Sequence, residues 1–476
     1  MPRTVHDRHG HVMTQTSAEA VSHYEDALRE LLFFRGAVAT ASQAALQAAP
    51  KSVMGNVLAA YLGLLGTEEK DATAAKAAFT RFTDCVRAGR PTDRERMHLA
   101  AATSWLNGDI HRAGHVLGEL SVAFPRDVLA LAVGHQIDFL TGDAVHLRDR
   151  IGGALTAWPE DDPHYGHLLG MYAFGLEETG HYLRSEEAGL AAVQHNPRDV
   201  WGIHAVVHTY EMQGRFAQGI RFLDARTDDW ASGNYLNVHN WWHYCLYALE
   251  SGDPDRALEI YDAVLHHEES PGLAMEILDA AALLWRFLLA DRGTGARWNR
   301  LADAWAARQD HAVMAYVGAD RLADAERLVE ERAAWLVRAR PGLSNVAMTA
   351  GIGLPVCRAL IAYGQGRYGQ AVDLLAPVRR RLHTFGGSHA QRDAVQKTLL
   401  EAALRAGRDD TARTLLSERI SLRPVCPYNW LAQARLADRL GDTAKAATAR
   451  ARAAEQAAPG AAELARRAED SAPGRS

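Results

Sequence analysis

The chain has 476 residues, 48% of them hydrophobic and 23% charged, with a formal net charge of −6 at pH 7. That is an ordinary globular balance, and it provides no basic footprint for nucleic acid or an anionic membrane. Four cysteines without a CxxC pair argue against a disulfide framework and for a reducing compartment.

The opening residues, MPRTVHDRHGHVMTQTS, are polar and lack an apolar signal core. Residues 1–16 are therefore expected to be a flexible segment, and the protein is expected to be cytoplasmic. From residue 17 onward helix formers dominate, and no Val-Ile-Thr alternation marks a sheet. Apolar runs such as Val53–Leu65 are short and interrupted, so no membrane span is expected. Between residues 90 and 265 the punctuation is most regular. Gly108, Gly142, Gly180, Gly214 and Gly252 follow one another at steps of 34, 38, 34 and 38 residues. A period of about 34 residues, with helical pattern on both sides of a glycine turn, marks a tetratricopeptide-like helical hairpin. Glycine supplies the left-handed residue that ends the first helix of each pair.

Past residue 253 the same signal continues less evenly, at Gly318, Gly366, Gly407 and Gly441, each ahead of a helix rich in small residues. Clusters of Pro and Gly at 158–163, 340–342, 384–387 and 423–427 mark breaks. The expected fold is all-α, a right-handed α-solenoid of helical hairpins continuous over 17–456 with a flexible tail at 457–476. Cys85, Cys245, Cys357 and Cys426 read as small buried hydrophobes within it.

Counting back from each turn glycine aligns the first helices of successive repeats. Thirteen residues before Gly180, Gly214 and Gly252 stand His167, Trp201 and His239. Ten before them stand Gly170, His204 and Trp242, and His98 stands ten before Gly108. Nine before Gly252 is His243, six before Gly214 is His208, and three before Gly180 and Gly214 are Glu177 and Glu211. Offsets of three and four residues share a helix face. His204, His208 and Glu211 thus lie together, as do His239 and His243.

First helices of such hairpins line the concave side of a solenoid, which would bring four imidazoles, Glu211, Trp201 and Trp242 toward one groove. Imidazole suits proton transfer near neutral pH and ligation of borderline metals. A His pair at i, i+4 can chelate one ion with Glu in support. The order is not that of HExxH, because Glu211 follows the second His instead of lying between the pair. No residue is assigned as a metal ligand on this pattern. The same imidazoles have a purely structural use, filling layers between helices and satisfying one another.

The stretches LGMYAFGLEETG (169–180), NPRDVWGIHAVVHTYEMQGR (196–215), HNWWHYCLYALESGD (239–253), ILDAAALLWRF (277–287), GLPVCRALIAYGQGRY (353–368) and GGSHAQRD (386–393) resemble the tetratricopeptide repeat protein 38 family, in family order. The resemblance spans most of the chain and implies an all-helical repeat fold, with no defined reaction attached. Asn56 stands where the family pattern has His, and His311 lies in QDHAVM, a variant of a His-containing stretch.

The resemblance points to further candidates. Asp279 and Arg286, seven residues apart on one helix face, offer a carboxylate and a bidentate anion anchor, or a salt bridge to each other. His389 and Arg392, three apart, present a polar face, while Ser388 and Gln391 read as a capping box. Ser388 and His389 are adjacent and diverge, which rejects a catalytic triad.

These patterns converge on a His-rich polar pocket on the concave face that binds a small organic ligand or a short peptide. His204, His208, His239 and His243 are the candidates for acid–base catalysis. Glu211, Trp201, Trp242, His167, Asp279, Arg286, His311, His389 and Arg392 are the candidates for ligand contact. Two alternatives stand beside this reading. One is a protein-interaction scaffold without catalysis, with a protein partner in the groove. The other is a metal-assisted hydrolase or isomerase, with a divalent metal as cofactor.

Overall fold

The computed structural model describes residues 4–86, 91–270, 272–308, 313–340 and 342–457. Helices follow one another from Ala18–Leu32 to Thr443–Ala457, and the only strands among the described residues are Val5–His6 and Val12–Met13. The chain is the expected all-α solenoid of helical hairpins. Its regular region pairs Asp93–Leu106 with Ile110–Ala123, Val128–Thr141 with Ala144–Leu155, and Tyr165–Glu178 with Tyr182–His195. Val200–Met212 with Phe216–Asp224 and Asn237–Glu250 with Pro254–Ile260 continue the series.

The turns are built from local chemistry. Gly108, Gly142, Gly180, Gly214 and Gly252 take φ values between 68° and 89°, a region that a side chain enters only at a cost. Where Asp follows the glycine it caps the next helix. Asp109, Asp143 and Asp253 each accept from the backbone N–H three residues on, at 2.9 to 3.1 Å. Gly318 departs from the expected role. It closes the helix Val313–Gly318, where a Cβ would lie 2.3 Å from the Trp298 ring. The left-handed residue of that turn is Asp320, with φ 58°. Close packing, not turning, is what requires this glycine.

Among the described residues the inner helices do not line the expected open concave face, because the later hairpins fold back across them. Every residue of Val200–Met212 is buried. Ser344 N–H donates to Gly108 O at 2.9 Å. A Cβ on Gly142 would lie 1.7 Å from His383 O, and one on Gly214 2.6 Å from Val425 O. The helix His389–Arg405 is tied to Ala274–Leu289 by Trp285 Nε1 donating to Thr398 Oγ1 at 2.8 Å. Among the described residues two large apolar cores result, beside a small cluster of Ile352, Val378 and Leu382. The large ones meet where Phe174, Trp201 and Ala205 of one adjoin Ile203, Val206 and Val207 of the other.

Residues 4–16 correct a second expectation. They form a short hairpin fastened to the first repeats, with Asp7 Oδ2 at 3.1 Å from Arg94 Nη1 and Thr14 N–H donating to Glu95 Oε1 at 2.8 Å. These partners stand 87 and 81 residues away in sequence, so no local pattern announces them. Past Ala457, the expected flexible tail lies outside the described residues. The continuous helical run Ser344–Gly364 has 21 residues and is long and apolar enough to cross a membrane, unlike the shorter runs read from sequence. It packs within the solenoid against Leu322–Arg338 and Tyr368–Leu375.

Candidate metal centre

Two neighbouring inner helices supply the imidazoles. His204 and His208 sit one turn apart on Val200–Met212, and His239 and His243 one turn apart on Asn237–Glu250. The helices stack as adjacent repeats, so the two pairs face each other. Ring centroids run 4.4 Å from His204 to His208, 4.3 Å to His243, 4.8 Å to His239 and 5.0 Å back to His204. One nitrogen from each ring lies within 4.8 Å of the other three. His208 and His243 are fully buried and His204 is 3% exposed. The His239 side chain keeps 12% of its exposure, so among the four it is the one that water reaches.

Burial holds His204, His208 and His243 well below the usual imidazole range, and a proton on any one of the clustered rings, or on Arg286 beside His243, disfavours a second. They are therefore neutral, and each retains a lone pair. Both nitrogens of His204 and His208, and Nε2 of His243, are buried without a hydrogen-bond partner. Each such atom costs about 1–3 kcal/mol when nothing replaces its lost water. The walls are aromatic. Phe174 and Trp201 pack 5.2 and 5.1 Å from His204, and Trp242 stacks on His239 at 5.2 Å.

Carboxylates stand behind three of the rings. His239 Nδ1 is 2.6 Å from Asp279 Oδ2, and His243 Nδ1 is 2.7 Å from Glu211 Oε2. An ionised carboxylate can only accept, so Nδ1 donates in both pairs, and Nε2 of the neutral His243 keeps its lone pair. His208 Nδ1 lies 3.6 Å from Glu177 Oε2. Burial and the adjacent Glu178 carboxylate push Glu177 up to about 7. An imidazole whose far nitrogen is tied to a carboxylate is the usual arrangement behind a metal-ligating histidine, because it sets the tautomer and raises basicity. Four clustered imidazoles, three of them backed by carboxylates, suit a borderline divalent ion.

The other expected contacts separate. Trp201 and Trp242 are in the wall, while Glu211 and Asp279 act as acceptors behind the rings. His167 is not in the cluster. Its Nδ1 faces Asp199 at 3.5 Å and its ring abuts Phe33. His98 pairs likewise with Asp127 at 3.0 Å. Both carboxylates cap the following repeat's first helix, so these histidines fasten repeat to repeat.

Arg286 is neither paired with Asp279 nor free to anchor an anion. It donates to Ala282 O at 2.7 Å and Ala390 O at 2.6 Å and lies over the Trp242 ring at 5.5 Å. The small cavity it lines behind Glu211 holds charges already matched, Lys397 on Glu250 at 2.5 Å and Asp393 on Arg419 at 2.9 Å. His389 and Arg392 belong to a second polar group beside the cluster. The His389 backbone N–H donates to Glu178 Oε1 at 2.7 Å and Arg392 Nη2 to Oε2 at 2.8 Å. The Ser388–Gln391 capping box is present. His311 lies outside the described residues. Glu177 and Glu178 were not among the expected site residues. Glu177 carries the same offset from its turn glycine as Glu211, which is a usable signal; Glu178 has none.

No family model matches the sequence. Among solved structures, the chain is similar to the human IFIT1 dimer with PPP-AAAA at 11% identity, covering 85% of this chain and 91% of that one with a TM-score of 0.38. It is similar to the APC/C hetero-tetramer Cut9–Hcn1 at 15% identity, covering 95% and 96% with a TM-score of 0.32. For the P58(IPK) TPR domain the identity is 12%, the coverage 81% and 100%, and the TM-score 0.21. Likenesses this distant concern helical-repeat architecture alone.

Proposed function

We propose that this chain is a metal-dependent protein in which His204, His208, His239 and His243 hold one borderline divalent ion of the zinc class. The observation that carries the reading is the set of buried imidazole nitrogens, five in three rings, that no protein group satisfies. An apolar core gains nothing from stranding them, whereas an ion takes up one lone pair from each of these three neutral rings. Asp279 and Glu211 behind the rings supply compensating negative charge.

An imidazole that ligates an ion does not also shuttle protons, so the acid–base role expected of these four gives way to ligation. The ion's place is enclosed by aromatic rings, with His239 nearest to water. A small polar molecule approaching that edge suits it better than a peptide in a groove. Metal-assisted hydrolysis or isomerisation, through a polarised water or carbonyl, is the reaction class that fits. The free thiols Cys245 and Cys426, both buried, support a reducing, cytoplasmic setting.

Elemental analysis of the purified chain tests the reading. It should carry transition metal, or take it up on dialysis against zinc, and lose the ion of the imidazole cluster on His243→Ala with the helical circular dichroism unchanged. A wild-type chain free of metal before and after zinc dialysis refutes it.

A further inference from the structure

Beside the imidazoles lies a carboxylate with no donor. Glu177 is fully buried, and neither Oε1 nor Oε2 has a hydrogen-bond partner. The nearest nitrogens, His208 Nδ1 and His389 Nδ1, stand on either side of it at 3.6 Å each. Those gaps exceed a normal N–H···O bond. Glu178 next to it is differently placed. Its Oε2 is held by Arg392, and its Oε1 takes the His389 backbone N–H and lies 3.5 Å from His389 Nδ1. One donor atom from each of Glu177, Glu178 and His208 lies within 4.8 Å of the other two. His208 belongs to this group and to the four-imidazole group alike, and neither of its ring nitrogens has a hydrogen-bond partner.

A buried carboxylate that stays ionised needs a cation or a full set of donors, and Glu177 has no full set. Two ligands on one ion, at bond lengths of about 2.0–2.2 Å, stand roughly 3–4 Å apart, which is the spacing found between Glu177 and its flanking imidazoles. We infer that a second divalent ion binds here, ligated by Glu177, Glu178 and His208 with His389 as a further donor, and shares His208 with the ion of the four-imidazole cluster, His208 bridging as an imidazolate whose ring proton is released to water on metal binding. The inference rests on the proposed metal function, because the shared ligand links the two sites. A mixed carboxylate and imidazole set is harder than four imidazoles, so this ion is the one that Mn²⁺ or Fe²⁺ replaces more readily. The two carboxylates balance its charge, and Arg392 occupies the outer oxygen of Glu178 without consuming Glu177.

The test is stoichiometry. The full chain is stripped with a chelator, dialysed against Zn²⁺ and measured by mass spectrometry for metal per polypeptide. Two equivalents are expected for the wild type, and one for Glu177→Gln, which keeps the side chain's size. Circular dichroism and gel filtration establish that the variant folds, and if it does not, the wild-type count alone decides. One equivalent in the wild type, unchanged by Glu177→Gln, overturns the second site and leaves the four-imidazole site standing. No equivalents overturn both.

Discussion

Replacing His204 with leucine separates an ion site from an ordinary core position. His204 is 3% exposed, both of its ring nitrogens lack partners, and its ring packs on Phe174 and Trp201. A leucine fills comparable space without the two stranded nitrogens, which cost about 1–3 kcal/mol each. It forfeits the ring contacts with Phe174 and Trp201, worth about 0.5–1.5 kcal/mol each beyond area burial. The metal-free His204→Leu chain should therefore be more stable than metal-free wild type by about 1–3 kcal/mol, seen as a higher urea midpoint at unchanged slope. Zinc should reverse the order. A ligand at a thousand times its Kd stabilises the native state by about 4 kcal/mol, a gain that wild type receives and the variant largely loses. A variant that is less stable without metal, and that responds to zinc as wild type does, would show that His204 is packing and not a ligand.

Two further outcomes test the scaffold around the site. Burial opposes ionisation of Asp127, but His98 at 3.0 Å and Arg94 at 2.9 Å overcome it and hold the carboxyl far below the usual range. With the folded value below the unfolded one, this stabilisation is complete above about pH 4 and is lost as pH falls further. Urea midpoints taken from pH 6 to 3 should fall more steeply for wild type than for Asp127→Asn, and parallel curves would discount the ion pairs. Gly142→Ala places a Cβ 1.7 Å from His383 O at φ 68°, and should cost about 3 kcal/mol or more through strain and displacement of the overlying chain. Gly180→Ala, at φ 80° with nothing within 4 Å, should cost only about 1–2 kcal/mol. Equal losses in thermal melts would mean that the later hairpins do not close on the Gly142 turn.

The hairpin series was legible because its signals are local. A glycine with positive φ ends one helix, an aspartate caps the next, and both recur at a countable step. The pairing of His204 with His208 and of His239 with His243 was equally legible, since positions one turn apart share a face whatever surrounds them. Adjacent repeats then carry both pairs to one place. The same counting misread Gly318, where a Trp298 ring lying against the helix, and not a turn, demands the missing side chain.

What no pattern along the chain disclosed is how the solenoid closes. The backbone contacts at Gly108, Gly142 and Gly214 join segments more than 200 residues apart, and they seal a face that repeat geometry alone leaves open. That closure brings His389 and Arg392 to Glu178, fastens Arg286 to Ala390, and strands Glu177 between two imidazoles. Helix-face arithmetic fixes which side chains share a surface. Whether that surface meets water or another helix depends on contacts distant in sequence, and for these residues that difference sets their charge and partners.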